Sequence, residues 1–83
     1  MNFILSKHAQ NEIRKRRLSL DLVRSVLENP QQVVEERILN TYQSLVEISG
    51  KTRLLRVVAN DRTNPVIVVT VYSTTQIKRY WRN

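Results

Sequence analysis

The chain of 83 residues contains no cysteine, one glycine and one histidine. Without cysteine it can form neither disulfides nor thiolate metal sites. One histidine and scattered carboxylates give no metal-ligand cluster at a recognisable spacing. A single glycine excludes the phosphate-binding loops of Walker and dinucleotide-binding proteins, and no serine nucleophile elbow is present. We therefore expect neither a metal nor a cofactor.

Long apolar runs are also missing from the sequence. No segment approaches the ~20 consecutive apolar residues that a membrane-spanning helix requires. The apolar run at the N-terminus is too short for a signal peptide. The length suits a single domain, 1–83. These features predict a cytoplasmic location and no association with a membrane.

Positive charge is the property that the sequence has in excess. Fourteen Lys and Arg residues stand against seven Asp and Glu residues, which gives a net charge of +7. Ten of the fourteen cations are arginines, whose planar guanidinium suits bidentate contacts with phosphate. A merely soluble surface is the alternative, but a basic domain with clustered charge more often meets a polyanion or an acidic protein.

Two helices are predicted in the first third of the chain. Ser6 is suited to cap a helix over residues 7–17, and Ser19 is suited to cap a second helix. The second helix should end at Asn29-Pro30, because the residue before a proline avoids the helical conformation. The two helices would form a helical hairpin.

After Pro30 the sequence pattern becomes typical of strands. We predict a short edge strand over 32–37, strands over 41–48 and 53–59 joined at Gly50, and a strand over 66–72. The last of these is apolar and β-branched in character, which predicts burial on both faces at the centre of the sheet. The predicted fold class is α+β, with two N-terminal helices packed on a three- to four-stranded antiparallel sheet.

Metal-free cleavage of RNA is the chemistry for which this chain has suitable side chains. Attack by the RNA's own 2′-hydroxyl needs a base, an acid for the leaving 5′-oxygen, and cations near the phosphate. His8 is a candidate acid or base, unless it simply pairs with Glu12 one helical turn later. Tyr72 either projects from its strand into a cleft or packs in the core with its hydroxyl reaching water.

Arg56 is an arginine inside a predicted strand, flanked by leucine and valine on both sides. An unpaired charge in such a place is costly, so Arg56 either faces a groove or pairs with Glu47 on the adjacent strand. Arg53, at the start of the same strand, is the weaker candidate because it lies next to solvent.

Two further basic segments are candidates for binding nucleic acid. Arg14-Lys15-Arg16-Arg17 is either a solvated helix face or the lining of a groove for the phosphate backbone. Near the C-terminus, Lys78 and Arg79 are either solvated tail charges or part of a site. Tyr80 and Trp81 argue against a loose tail, because aromatic side chains usually dock on a core. The candidate nucleic-acid-binding residues are Arg14, Lys15, Arg16, Arg17, Arg53, Arg79 and Tyr80.

Several stretches taken together resemble a known family. They are Ser6-Lys7-His8-Ala9, Arg16-Arg17-Leu18 before a helix ending at Asn29-Pro30, Val69-Thr70-Val71-Tyr72, and Ile77-Lys78-Arg79-Tyr80-Trp81. The chain resembles small prokaryotic proteins known only as a domain of unknown function. These are grouped with the RelE/ParE-like toxin superfamily and are similar to BrnT-type toxins.

The resemblance implies a RelE-like domain with two helices on a four-stranded antiparallel sheet. It implies a toxin of a toxin–antitoxin-type system, an endoribonuclease that cuts mRNA, free or at the ribosome, and is neutralised by an acidic antitoxin-like protein. In that site Arg56 and Lys78 would bind the phosphate, Tyr72 would orient the 2′-hydroxyl, and His8 would be the acid or base. The alternatives are a catalytically silent module that binds an acidic protein or nucleic acid, and a ParE-like gyrase inhibitor.

Overall fold

A computed structural model describes residues 1–83, the whole chain. Strands hold 45% of the residues and helices 27%. None of the helices is both long enough and apolar enough to span a membrane. In chain order the elements are β1 (Phe3–Leu5), α1 (Lys7–Lys15), α2 (Leu20–Glu28), β2 (Gln32–Glu36), β3 (Leu39–Ile48), β4 (Lys51–Asn60), β5 (Val66–Thr74) and α3 (Ile77–Tyr80).

The predicted fold class is wrong, because the sheet has five strands and is mixed. Its strand order is β1-β5-β4-β3-β2, and β1 runs parallel to β5 while the other neighbours are antiparallel. A strand therefore precedes the first helix, and a third short helix follows the last strand. The sequence analysis did not predict β1, because three residues are too few to show a strand period.

Most elements with a clear local pattern are confirmed. Ser6 and Ser19 cap α1 and α2, accepting hydrogen bonds from the backbone N–H of the third residue after each. β2 is an edge strand, as predicted. α1 ends two residues earlier than predicted, and Arg17 then adopts a left-handed conformation with φ of 55°.

The strand at the centre of the sheet is β4 and not β5, contrary to prediction. β4 is third in the five-strand order, and its residues 54–57 are all buried. In β5 only Val68 and Val71 are buried. The apolar run in β5 lies one strand from the edge, because β1 is only three residues long and shields little of it.

The two faces of the sheet are covered differently. One face, called the helix face, packs against α1 and α2 and holds the main core. The buried core residues are Ala9, Leu18, Val23, Val26, Leu27, Leu55, Val57, Ala59, Val68 and Val71. The opposite face carries Gln32, Gln43, Arg56 and Tyr72, which lie side by side on β2, β3, β4 and β5. Residues paired across neighbouring strands point to the same side of a sheet.

Residues 75–83, called the tail, fold back over this second face, which we call the tail face. Gln43 Nε2 donates to the Tyr80 carbonyl oxygen at 3.2 Å. Gln32 accepts from the Arg82 N–H at 3.0 Å and donates to the Arg82 carbonyl oxygen. The tail therefore crosses the sheet from β5 towards β2. It shields polar residues that would be exposed to solvent if only the helix face of the sheet were covered.

The two helix caps provide a matched pair for mutation. Besides capping α1, Ser6 Oγ donates to the Val69 carbonyl oxygen at 2.8 Å, whereas Ser19 Oγ caps α2 only. We expect Ser6→Ala to lower the free energy of unfolding by about 2 kcal/mol and Ser19→Ala by about 1 kcal/mol. Urea denaturation of both variants measures the difference, and equal losses would show that the contact with Val69 contributes nothing.

Candidate functional site

Arg56 lies at the middle of the tail face and is 6% exposed. Its Nε donates to Gln43 Oε1 at 2.8 Å, and its Nη1 donates to the Tyr72 hydroxyl at 2.5 Å. Both partners sit directly opposite Arg56 in the strand register. The guanidinium is therefore held on the tail face between a neutral amide and a phenol.

Aromatic rings enclose the same guanidinium. Its central carbon lies 4.3 Å from the ring centroid of Tyr80 and 5.6 Å from that of Tyr72. The two tyrosine rings meet edge to face, with centroids 6.2 Å apart. Arg79 packs on the same Tyr80 ring at 5.4 Å. Cation–π contacts favour Arg56 in this position, but they leave its charge uncompensated.

No carboxylate pairs with Arg56. The two ion pairs in the protein are Met1 N-terminus with Glu28, and Arg16 with Glu12. The predicted alternative, a pair between Arg56 and Glu47, is wrong because Glu47 lies opposite Thr52 and accepts a hydrogen bond from it. Burial of an unpaired charge costs several kcal/mol, so an anion bound here would be strongly favoured.

One nitrogen of the guanidinium has no hydrogen-bond partner in the protein. Every buried side-chain nitrogen and oxygen in the protein has a hydrogen-bond partner. Nη2 of Arg56 makes no hydrogen bond, since the two formed use Nε and Nη1. It must therefore reach the surface. Arginine binds phosphate through such free N–H groups.

His8 lies at the border of the tail face. Its Nε2 is 3.1 Å from Thr70 Oγ1. Thr70 lies two residues before Tyr72 on β5 and so points to the same side of the sheet. The predicted alternative, a pair between His8 and Glu12, is not formed. Glu12 instead accepts from Arg16 at 3.0 Å, and this hydrogen bond lowers the pKa of the Glu12 carboxyl.

An irregularity in β5 places His8 there. The pairing of β4 with β5 shifts between Val58 and Ala59, which leaves Val69 as an extra residue in β5. Ser6 Oγ binds the carbonyl oxygen of that residue while it caps α1. Ser6, which lies two residues before His8, thus fixes the start of α1 beside the bulge. Bulges of this kind often redirect side chains next to functional sites.

The remaining candidates, Lys78, Arg79 and Tyr80, lie on α3 in the tail. Lys78 and Arg79 are exposed, whereas Tyr80 is half-buried against Arg56. Residues 75–79 line a shallow surface cavity of about 550 Å³. The tail face therefore brings together Arg56, Tyr72 and Tyr80, with His8 and the α3 cations at its borders.

The other basic candidates lie away from this cluster. Arg14, Lys15, Arg16 and Arg17 are exposed at the end of α1, which packs on the helix face. Arg53 points to the helix side, where its Nε donates to Ser73 Oγ at 3.0 Å. The sheet separates these five cations from Arg56, so they cannot contact the same phosphate group.

The sequence analysis did not identify Gln43 and Gln32 as residues of the candidate site. Gln43 is fully buried and connects Arg56, Tyr80 and Gln32 through its two amide atoms. A usable signal was present, because the two-residue turn at Ser49 and Gly50 fixes the register of β3 against β4. Counting outwards from that turn places Gln43 opposite Arg56.

A second polar cluster lies on the helix side, at the far end of β3 and β4. Asp61 accepts from the Tyr42 hydroxyl at 2.6 Å and from Asn40 Nδ2 at 2.8 Å. These two bonds lower the pKa of the Asp61 carboxyl. Burial and the Asp61 hydrogen bond raise the pKa of Tyr42 to about 12. Tyr42 and Asn40 both donate to the same Asp61 oxygen, which indicates a structural role.

The raised pKa of Tyr42 predicts that the free energy of unfolding decreases at alkaline pH. The unfolded chain releases this proton near pH 10.0, while the folded protein retains it up to about 12. Stability from this group is therefore complete below pH 10.0 and falls as the pH rises towards 12. Urea denaturation at a series of pH values should show the advantage over Tyr42→Phe shrinking across this window. A constant difference would contradict the prediction.

Metal-binding geometry is absent from the protein, since no three His, Asp or Glu side chains lie close enough to hold an ion. The polar side chains on and beside the tail face are those of Arg56, Tyr72, Tyr80, His8, Gln32 and Gln43.

Comparison with known proteins gives one match. No curated protein and no solved structure matches the chain. One family model matches residues 5–73, a span that includes His8, Gln43, Arg56 and Tyr72 and ends before α3. That span is most of the 83 residues, and the chain therefore belongs to the DUF4258 family, a domain of unknown function.

Proposed function

We propose that this protein is a metal-independent endoribonuclease that cuts mRNA in the cytoplasm, as the toxin of a toxin–antitoxin-type system. One observation carries the proposal: a buried guanidinium without a carboxylate partner is bonded to a tyrosine hydroxyl on the face that a histidine borders. A cation, a phenol and an imidazole are sufficient for RNA cleavage without a metal.

The proposed reaction is transesterification by the RNA itself. The 2′-oxygen forms a bond to phosphorus as the bond from phosphorus to the 5′-oxygen breaks, which leaves a 2′,3′-cyclic phosphate. A base removes the 2′-proton, and an acid protonates the departing 5′-oxygen. Atoms and charge balance without water, metal or oxidant.

Each candidate has a role that suits its position. Arg56 Nη2 would hold a non-bridging phosphate oxygen, and Lys78 would add a second positive charge from α3. The Tyr72 hydroxyl accepts from Arg56 and so keeps its own proton free to orient the 2′-oxygen. His8 would act as acid or base from the β5 border of the same face.

The proposal includes a distant relationship to RelE/ParE-like toxins and to BrnT-type toxins. It rests on the sequence resemblance around His8, Tyr72 and the residues of α3. An acidic antitoxin-like protein is the proposed partner, and the exposed cations at the end of α1 are its proposed contact surface. Their separation from Arg56 would let RNA and partner use different sides of the sheet.

The test is cleavage of RNA by the purified protein in the presence of a chelator. We expect fragments that end in a 2′,3′-cyclic phosphate, and a rate about tenfold lower for Tyr72→Phe, which keeps the ring and removes the hydroxyl. Induced expression should also stop growth and shorten cellular mRNA. If neither the native protein nor any variant affects RNA or growth, the proposal is wrong.

A catalytically silent binding module is the second candidate. The observation that favours it is the cover over Arg56, whose side chain is 6% exposed. Such a module would bind RNA or an acidic protein with strong salt dependence and without turnover. Salt-sensitive binding with intact RNA would therefore favour it. DNA-damage signalling without loss of mRNA would instead indicate a gyrase inhibitor.

A further inference from the structure

We infer that the tail is a displaceable cover that competes with single-stranded RNA for Arg56. The inference rests on the proposed function, since it names what restricts access to that same site. Tyr80 is the residue in contact: its ring lies 4.3 Å from the guanidinium carbon, in the place where a flat base or a phosphate would sit. An RNA strand can contact Arg56 fully only after this ring moves.

The tail is held mainly through its backbone. Gln43 binds the Tyr80 carbonyl, and Gln32 binds both the N–H and the carbonyl of Arg82. A glutamine amide that bonds to both the N–H and the carbonyl oxygen of one residue binds the backbone there, and this contact does not depend on which side chain the residue carries. The tail face thus already binds the backbone of residues 80 and 82 in this structure.

The hold on the tail is weak compared with the rest of the fold. α3 has four residues, none of them buried, and no side chain caps its start. No ion pair fixes the tail. Segments with few buried contacts and exposed hydrogen bonds open far more readily than the core.

Electrostatics also favours replacement of the tail by a polyanion. Arg56 and Arg79 both pack on the Tyr80 ring, so the docked tail holds like charges close together. Lys78 and Arg82 add further positive charge to the same short segment. RNA would neutralise Arg56, and the released tail would remain a cationic strand able to follow the phosphate backbone.

Trp81 makes the displacement measurable, because it is the only tryptophan and lies half-buried in the tail. We expect a short single-stranded RNA to increase quenching of Trp81 fluorescence by acrylamide. Gln32→Ala removes both contacts with Arg82 and the hydrogen bond from Gln43 Nε2, while both hydrogen-bond partners of Arg56 remain. This variant should show greater Trp81 quenching without RNA and bind RNA several-fold more tightly in fluorescence anisotropy.

Gln31→Ala is the matched control. Gln31 Oε1 accepts from the Leu45 N–H and makes no contact with the tail. This variant should retain the native quenching and the native RNA affinity. If Gln32→Ala releases Trp81 but leaves RNA affinity unchanged or lower, the tail is not a competitor and the inference is overturned.

A covalent lock gives an independent test if Gln32→Ala folds poorly. The chain has no cysteine, so Gln32→Cys with Arg82→Cys introduces one unique pair. A short bismaleimide joins the pair and fixes the tail, whereas the same protein capped with a monomaleimide leaves it free. We expect RNA affinity at least about tenfold lower for the locked form.

The outcomes of the locking experiment separate the two proposals. Equal RNA affinity of the locked and free forms overturns the inference and leaves the proposed function intact. Binding of RNA by neither form contradicts the proposed function, and the inference falls with it.

Discussion

An Arg56→Met variant is expected to lose at least about 100-fold in the rate of RNA cleavage, because it removes the charge that is proposed to hold the phosphate. Removal of one preorganised donor from a developing negative charge typically lowers a rate by about 10²–10³. Methionine keeps an unbranched, flexible side chain of similar volume, so most of the space beside Gln43 and Tyr72 stays filled.

The same variant should unfold with nearly the native free energy, within about 1 kcal/mol. It leaves Gln43 Oε1 and the Tyr72 hydroxyl without their donor, which costs about 1–3 kcal/mol for each group shut off from water. It also removes a buried charge that has no counterion, and this desolvation penalty is several kcal/mol. The two effects oppose each other.

Arg53→Met is the matched control for this prediction. Arg53 lies three residues earlier on β4 and points to the opposite side of the sheet. Cleavage should stay within about twofold of the native rate, because Arg53 cannot contact a phosphate at Arg56. Gel-based cleavage assays and urea denaturation on both variants provide the measurement. Equal loss of cleavage in the two variants would show that general positive charge, and not the tail face, is responsible.

A Leu55→Ala variant is expected to lower the free energy of unfolding by about 3 kcal/mol. Leu55 is fully buried on the helix face of the central strand and belongs to the main core. Truncation of a buried leucine removes apolar burial and leaves a cavity, which together cost about 2–5 kcal/mol. In a domain of this size that corresponds to a melting temperature lower by roughly 10–20 °C.

Leu45→Ala is the matched control on the neighbouring strand. Leu45 is 37% exposed and lies on the tail side of β3. We expect a loss below about 1 kcal/mol, because water already reaches the side chain and no closed cavity forms. Thermal unfolding followed by circular dichroism compares the two. Equal destabilisation would contradict the assignment of the main core to the helix face.

Local patterns predicted most of the elements and named as candidates the three residues that meet on the tail face, Arg56, Tyr72 and Tyr80. Ser6, Ser19 and Gly50 act through their own neighbours in sequence, so caps and turn were visible in the sequence. Arg56 itself stood out because a charge inside an apolar strand needs an explanation.

The features that local patterns could not predict depend on contacts between distant segments. β1 exists because the edge of β5 offers hydrogen bonds to it, including Ser6 N–H to the Val68 carbonyl and Val66 N–H to the Asn2 carbonyl. Those partners are more than sixty residues apart. The same is true of His8, which binds Thr70 across the sheet and not Glu12 on its own helix.

Composition and short-range pattern are enough to specify a small, cysteine-free, strongly basic domain with two capped helices, a tight hairpin and an arginine in an apolar strand. Those properties depend on the residue types present and on neighbours within a few residues. Three further features follow from the tertiary structure alone: the sheet is mixed, β4 is its centre, and the tail lies over Arg56. These features depend on the strand register and on the path of the chain over the sheet, because both determine which distant polar groups come into contact and leave Arg56 without a counterion.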